Sequence, residues 1–199
     1  ANILHIPTNA GWTTSLVNGA FDQTPARITA NTSVTASSRS LGHTSGIVPW
    51  GTNYWNFNWD KKVYLIFNIG NYASEAQTVG RVQLKEVITE GALGAKGIGL
   101  KMLNGALWAE SYGTTLGEIN LSVDITGEGR QILIVHDPSV PKIEWYVNGV
   151  LKGTQSTAAN IPSGVGGDEE KMVVSIINGV TGGTNSYLYF VAPKIWQAR

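Results

Sequence analysis

Carboxylates are the first residues to consider, because two of them flanking one bond can hydrolyse a glycoside. The chain has no Glu-x-Asp-x-Glu or Glu-x-Asp-x-x-Glu run, which would place such a pair on one face of a strand. Glu86 and Glu90 stand at the end of a predicted strand, and the acidic residues 168–170 follow two glycines in a predicted loop. Glu110 and Glu144 could pair from separate strands, although no spacing supports it. The sequence therefore predicts a protein that is not an enzyme.

Histidine and cysteine give no catalytic or metal signal. The chain contains three His, spread widely, and no Cys. Without Cys there are no disulfides and no thiolate ligands, and no His/Cys/acid cluster has zinc-site spacing. No Ser-His-Asp arrangement and no phosphate-binding glycine loop can be identified.

Aromatic and amide side chains offer a different chemistry, the binding of sugars by ring stacking and hydrogen bonds. Seven Trp and seven Tyr are available. Residues 54–60 alternate as a strand would, with Trp55, Phe57 and Trp59 on the parity predicted to face the core, where Trp145 and Trp196 are also placed. The predicted ligand-binding residues lie on the opposite parity, in the loop before it, or in later loops: Trp50, Asn53, Tyr54, Asn56, Asn58, Asp60, Tyr72 and Tyr112.

No cofactor is predicted, with calcium as the one option left open. Oxygen ligands for calcium are available at Asp60, Asn71, Asp124 and Asp137. No dense Asp/Asn loop of the EF-hand kind occurs, so the sequence does not select among them.

Composition excludes several partners. Lys and Arg balance Asp and Glu at a formal net charge of zero, and only 14% of residues are charged. Nucleic acids and anionic membranes need a concentrated positive patch, and no basic run occurs. No apolar run reaches the roughly 18 residues of a membrane span. At 199 residues the chain fits one domain, 1–199, in which the polar, irregular residues 1–50 are expected to pack on a sandwich.

The remaining chain reads as strands separated by turns. Residues 63–69 are apolar on both parities, as in a central strand, and several later segments alternate. Asn104-Gly105 and Asn148-Gly149 are signals for tight hairpins, because both central residues of a type I′ turn need a positive φ. At least nine strands with turn signals about every ten residues predict an all-β, antiparallel two-sheet β-sandwich or jelly roll.

Three segments carry a family resemblance. The hairpin at 145–151, the glycine-apolar hairpin at 97–107 and the closing strand at 188–196 occur in the order typical of concanavalin A-like and laminin-G-like β-sandwiches. The resemblance covers residues 54–199 and implies a jelly roll. Polysaccharide lyases of this fold carry a Gln-x-His motif, which Gln131 and His136 do not match.

The resemblance and the missing carboxylate motif together lead us to expect a non-catalytic, lectin-like domain. It would bind glycans or a cell-surface receptor, in an extracellular setting or on a virion surface. Two alternatives stay open. One is a structural subunit of a virion, fibre or extracellular assembly, since a sparsely charged surface favours a homo-oligomer. The other is a glycoside hydrolase or polysaccharide lyase of the same fold.

Overall fold

The structure is a computed structural model that describes residues 2–5, 12–17, 19–24, 27–32, 39–44, 57–71, 78–89, 91–165, 170–177, 179 and 187–198. Within these ranges it contains fifteen strands and one turn of 3-10 helix at Ala158–Asn160. No helix in the described part of the chain is long and apolar enough to cross a membrane.

Eight strands form one sheet, in the order β13-β12-β11-β6-β15-β4-β3, with β1 also paired to β15. The strands of this eight-stranded sheet are β1 (Asn2–His5), β3 (Gly19–Thr24), β4 (Arg27–Thr32), β6 (Val63–Asn71), β11 (Arg130–Asp137), β12 (Lys142–Val147), β13 (Val150–Gln155) and β15 (Tyr187–Gln197).

The second sheet has seven strands in the order β10-β9-β8-β7-β14-β5-β2. They are β2 (Trp12–Val17), β5 (Arg39–Thr44), β7 (Val79–Lys85), β8 (Gly97–Leu103), β9 (Ala106–Tyr112), β10 (Leu116–Asp124) and β14 (Lys171–Ile177). All pairings in both sheets are antiparallel.

The predicted antiparallel sandwich is confirmed, and so is the chemistry of its hairpins. Asn104 and Gly105 have φ values of 53° and 79°, and Asn148 and Gly149 have 51° and 77°. Both central residues of each turn are thus left-handed, as a type I′ turn requires. The turns fix the registers of β8 with β9 and of β12 with β13.

The first 50 residues, predicted to be irregular, contribute five strands to the two sheets. These strands are short and rich in Thr, Ser, Asn and Gly, so they lack the apolar alternation that marks a half-buried strand. Their backbones nevertheless pair with β14 and β15, because a ladder of backbone hydrogen bonds does not depend on side-chain type.

The strand predicted at residues 54–60 is wrong for the part that the structure describes. Asn58 makes a single bridge to Val165, and Trp59 and Asp60 form a turn. The predicted burial is confirmed, since Phe57 is 7% exposed and Trp59 is fully buried. These two aromatic side chains therefore enter the core from a loop, and not from one face of a strand.

The core lies between the sheets and is built from the inward parity of each strand. Trp145 is 1% exposed, as predicted, and lies in one cross-strand row of core residues with Ile134, Leu65 and Ile195. Trp196 was also predicted in the core, and this is wrong. Because Ile195 faces the core, its neighbour Trp196 must face outward, and it is only partly buried.

Trp59 connects the two sheets at one end of the core. It precedes β6 of the eight-stranded sheet, and its indole Nε1–H donates to Glu170 Oε1 at 2.8 Å, just before β14 of the other sheet. Its ring lies edge-on to Phe57 and His136, with centroid distances of 4.8 and 5.6 Å. His136 Nε2–H donates to Pro162 O at 3.1 Å, and burial lowers the pKa of His136.

The environment of Glu170 predicts a dependence of stability on pH. Burial raises the pKa of Glu170 from 4.5 to about 8, although the Trp59 hydrogen bond opposes the shift. The folded state therefore holds this proton more tightly than the unfolded state, so stability falls as pH rises from about 4.5 to 8. We expect Glu170→Gln to remove this loss, which is on the order of 1 kcal/mol per pH unit. Urea unfolding of the wild type and the variant at several pH values measures the free energy of unfolding. If this free energy depends on pH in the same way for both proteins, the prediction is contradicted.

Candidate functional site

The outer face of the seven-stranded sheet carries a group of polar side chains that includes buried charges. Strand alternation places them there: Leu107 and Ala109 of β9 face the core, so Trp108, Glu110 and Tyr112 face outward. The residues of this face, called the polar face below, are Arg81, Gln83, Lys85, Lys101, Trp108, Glu110, Tyr112, Glu118 and Asn120.

Cross-strand pairing brings these residues into rows. One row runs from Gln83 through Gly99 to Glu110 and Glu118. The next runs from Arg81 through Lys101 and Trp108 to Asn120. Directly paired side chains in antiparallel strands have Cβ atoms about 5 Å apart, so each row is a set of neighbours.

Glu110 is the centre of a buried charge network. Its side chain has no exposed surface, and its two oxygens accept separate hydrogen bonds. Arg81 Nε donates to Oε1 at 3.2 Å, and Gln83 Nε2 donates to Oε2 at 2.6 Å. Burial raises the pKa of Glu110, while Arg81 and Gln83 oppose that shift. The carboxyl group is fixed in position and kept out of water.

Gly99 is the residue that allows this network to form. It lies between Gln83 and Glu110 on the central strand of the three. A Cβ at this position would lie 2.9 Å from Gln83 Cγ and 2.5 Å from Val82 O. Without a side chain at Gly99, the amide of Gln83 can cross β8 and reach the carboxylate on β9.

Lys85 extends the network to the loop that follows β7. Its Nζ donates to Gln83 Oε1 and, at 2.7 Å, to Thr89 O. Burial lowers the pKa of Lys85 to about 8. Leu93 of the same loop is buried near Gly97, where an added Cβ would approach its Cδ2 to 2.9 Å. The loop thus covers one end of the polar face.

Trp108, Lys101 and Glu118 form the accessible part of the polar face. Lys101 Nζ makes an ion pair with Glu118 and lies 4.8 Å from the centroid of the Trp108 ring. The side chain of Glu118 is 33% exposed. Trp108 Nε1 is buried and has no hydrogen-bond partner among the described residues. A fixed indole ring, an ammonium and a carboxylate therefore lie together, with Asn120 exposed beside them.

Of the three predicted ligand-binding residues that the structure describes, only Tyr112 belongs to the polar face. It was assigned to a loop, but it is the last residue of β9 and is partly buried. Asn58 and Asp60 hold a turn together: Asn58 Oδ1 accepts from Asp60 N, and Asp60 Oδ1 accepts from Gly164 N at 2.7 Å. The remaining predictions lie outside the described residues: Trp50, Asn53, Tyr54, Asn56 and Tyr72.

The pairing of Glu110 with Glu144 is excluded by the fold. Glu144 lies on β12, on the outer face of the eight-stranded sheet, so the core separates the two carboxylates. In the register of β9 with β10, the carboxylate residue directly opposite Glu110 is Glu118. Glu110 and Glu118 carry no recognisable spacing in the sequence, because the turn between two strands decides which residues lie opposite each other.

A pattern in the sequence could have indicated the polar face. Trp108, Glu110 and Tyr112 share one parity of a predicted strand, and Gly97 and Gly99 share one parity of the strand before it. Polar and aromatic residues beside paired glycines mark a sheet face where side chains cross strands.

The calcium option stays a prediction. Asp124 Oδ1 accepts from Thr126 N at 2.8 Å, and Asp137 contacts Lys62 and Ser139. Asn71 is the last residue of β6. Within the described ranges, no three His, Asp or Glu residues cluster as a metal site would require.

Comparison with known proteins identifies the fold but no close relative. No family model matches the chain, and no curated protein matches it. Among solved structures, a Bacillus licheniformis β-glucanase matches with a TM-score of 0.64 at 15% identity, over 100% of this chain and 99% of that one. A prokaryotic β-1,3-1,4-glucanase (lichenase) from a mouse hindgut metagenome matches with a TM-score of 0.65 at 11% identity, over 98% and 99%.

A third match is the carbohydrate recognition domain of Emp47p. It has a TM-score of 0.63 at 10% identity, over 100% of this chain and 96% of that one. The structural matches establish the fold. At such low identities they leave the activity open, since they include both enzymes and a recognition domain. The chain has the concanavalin A-like jelly-roll fold that its hairpins resemble.

Proposed function

We propose that the protein is a non-catalytic, lectin-like domain that binds glycans, free or on a surface receptor, through the polar face. The observation that carries the proposal is the arrangement of Trp108, Lys101 and Glu118. An indole ring held by a cation beside a partly exposed carboxylate offers a stacking surface and hydrogen-bonding groups together. The fold is shared with the Emp47p carbohydrate recognition domain, which supports the proposal.

Each group on the accessible part of the face has a role in this binding. The Trp108 ring stacks on the apolar face of a pyranose. Glu118 accepts hydrogen bonds from hydroxyl groups, and Lys101 and Asn120 donate to them. Glu110 holds Arg81 and Gln83 in place beneath this layer and has no exposed surface for a ligand. That enclosure favours binding over catalysis.

The location and assembly of the protein form part of the same proposal. A glycan or receptor ligand fits a protein that works extracellularly or on a virion surface, with calcium as an optional ligand. The competing structural role in a virion, fibre or extracellular assembly needs no glycan at all. A glycan array run with and without a calcium chelator, alongside light scattering, separates the two. A large stable oligomer with no glycan bound would favour the structural role.

Trp108→Ala tests the proposed site directly. We expect the affinity for a soluble oligosaccharide identified on the array to fall at least tenfold, about 1.4 kcal/mol, because the stacking surface is removed. Isothermal titration calorimetry with a short oligosaccharide measures this without contributions from multivalency. Tyr64→Ala is the matched control, because Tyr64 is 36% exposed on the opposite sheet. Equal affinity of the Trp108 variant and the wild type would refute the site.

One observation supports hydrolysis as a second candidate function. Glu110 and Glu118 are direct partners on β9 and β10, in contrasting environments. Burial raises the pKa of Glu110, whereas Glu118 is partly exposed and paired with Lys101. Two neighbouring carboxyl groups in contrasting environments are the kind of pair that can divide the roles of acid and nucleophile.

Hydrolysis is tested with a panel of β-glucans and uronic acid polymers. If the protein is a hydrolase, Glu110→Gln and Glu118→Gln should each lower the release of reducing ends at least a hundredfold, because each carboxyl group has its own step. Glu144→Gln, on the other sheet, should leave the rate unchanged. No release by the wild-type protein, or equal rates for all variants, would remove this candidate.

A further inference from the structure

Lys85 is a buried cation that the proposed binding of glycans does not use. The residue is 2% exposed, and among the described residues its Nζ contacts only neutral acceptors. These are Gln83 Oε1 at 2.5 Å, Thr89 O at 2.7 Å and Thr89 Oγ1 at 3.2 Å. Burying an ammonium group without a carboxylate in contact costs free energy, so the neutral amine is favoured. A neutral lysine amine is a nucleophile.

Strand alternation places this amine against an amide group. Gln83 and Lys85 are two residues apart on β7, so their side chains lie on the same face of the sheet, and Gln83 is fully buried. Since a C=O bond is about 1.2 Å long, Lys85 Nζ lies within about 3.7 Å of the amide carbon, Gln83 Cδ. Atoms poised to react are about 3–3.5 Å apart, so a movement of a few tenths of an ångström is enough.

A carboxyl group lies at the nitrogen that this reaction would expel. Glu110 Oε2 accepts a hydrogen bond from Gln83 Nε2 at 2.6 Å, and the side chain of Glu110 has no exposed surface. Burial raises the pKa of Glu110, while Arg81 and Gln83 oppose that shift. Burial also lowers the pKa of Lys85 to about 8, with Glu110 opposing this shift and Arg81 adding to it. An amine, an amide and a proton-carrying group are thus held together away from water.

We propose that Lys85 and Gln83 form an intramolecular isopeptide bond, with Glu110 as the group that moves the proton. Lys85 Nζ attacks Gln83 Cδ, so that the Nζ–Cδ bond forms and the Cδ–Nε2 bond breaks. Glu110 takes one proton from Nζ and gives it to Nε2, which leaves as ammonia. The products are one secondary amide and one ammonia, and no oxidant, reductant or cofactor is consumed.

The bond would change the energetics of the polar face without changing its accessible surface. It replaces a buried ammonium with a neutral amide and so removes the cost of burying that charge. The ring that it closes spans two residues of β7, so it fixes two side chains and does not link strands. The inference does not depend on what the polar face binds, because Gln83 and Lys85 are both buried.

Mass spectrometry of the purified full-length chain tests the bond. We expect the intact mass to lie about 17 Da, one ammonia, below the mass of the sequence, because the acylated lysine forms as ammonia leaves. Trypsin does not cleave after an acylated lysine, so the bonded protein should give the peptide 82–96, lighter by one ammonia. The unbonded protein gives the separate peptides 82–85 and 86–96. This digest also distinguishes the bond from loss of ammonia at the two Asn-Gly turns, which lie in other tryptic peptides.

Two variants test the roles of the reacting groups. Lys85→Met removes the nucleophile and should restore the full mass of its sequence. Glu110→Gln keeps the amine and the amide but removes the proton carrier, so the bonded fraction in a freshly purified sample should fall at least tenfold. Lys142→Met is the matched control, because Lys142 is paired with Glu144 on the other sheet, and it should retain the bond.

A wild-type protein that has the full mass of its sequence and releases peptide 82–85 overturns the proposal. This outcome does not depend on whether any variant folds, and it leaves the proposed binding of glycans untouched. A bonded fraction in Glu110→Gln equal to that of the wild type also overturns the proposal as stated, since the carboxyl group then takes no part. The bond is likewise refuted if Lys85→Met keeps the loss of ammonia within residues 82–96.

Discussion

The contact between Trp59 and Glu170 joins the two sheets of the sandwich. Trp59 stands at the entry to β6, a central strand of one sheet, and Glu170 stands at the entry to β14, a central strand of the other. Since the indole is fully buried, its N–H must find an acceptor inside the protein, and Glu170 is that acceptor. Phe57 and His136 pack around the same ring. The spacing of the sheets at this end is thus set by one hydrogen-bonded aromatic side chain.

A second set of buried polar groups, around Glu110, links β7 to β9 and to the loop that follows β7. Burying Arg81, Gln83 and Glu110 together costs desolvation energy that a well-packed apolar cluster would avoid. It also requires Gly99, although glycine weakens a strand interior. Violations of the usual rules for sheet composition are expected at functional sites, where geometry is favoured over stability. The network fixes the side chain of Glu110 on β9, the strand that also carries Trp108.

Some parts of the structure follow from short sequence patterns, whereas others depend on which strands pair and in which register. The hairpins at Asn104-Gly105 and Asn148-Gly149, the strand at Lys171–Ile177 and the burial of Trp145 follow from alternation and turn chemistry, which act over a few residues. The partnership of Glu110 with Glu118 could not be predicted in this way, because it depends on the register between two strands. Asn58 and Asp60 alternate in the sequence as residues of a strand would, but they lie in a turn in which Asp60 accepts a hydrogen bond from Gly164 N. Tyr112 was selected for its exposure in a loop, yet it reached the polar face as the end of a strand.

The opposed orientation of the two outer faces has a geometric consequence. Strand alternation places the polar residues of one sheet and the apolar residues of the other on opposite sides of a single core. One molecule can therefore present the polar face to one neighbour and the outer face of the eight-stranded sheet to another, since contact on one side of the core does not block contact on the other.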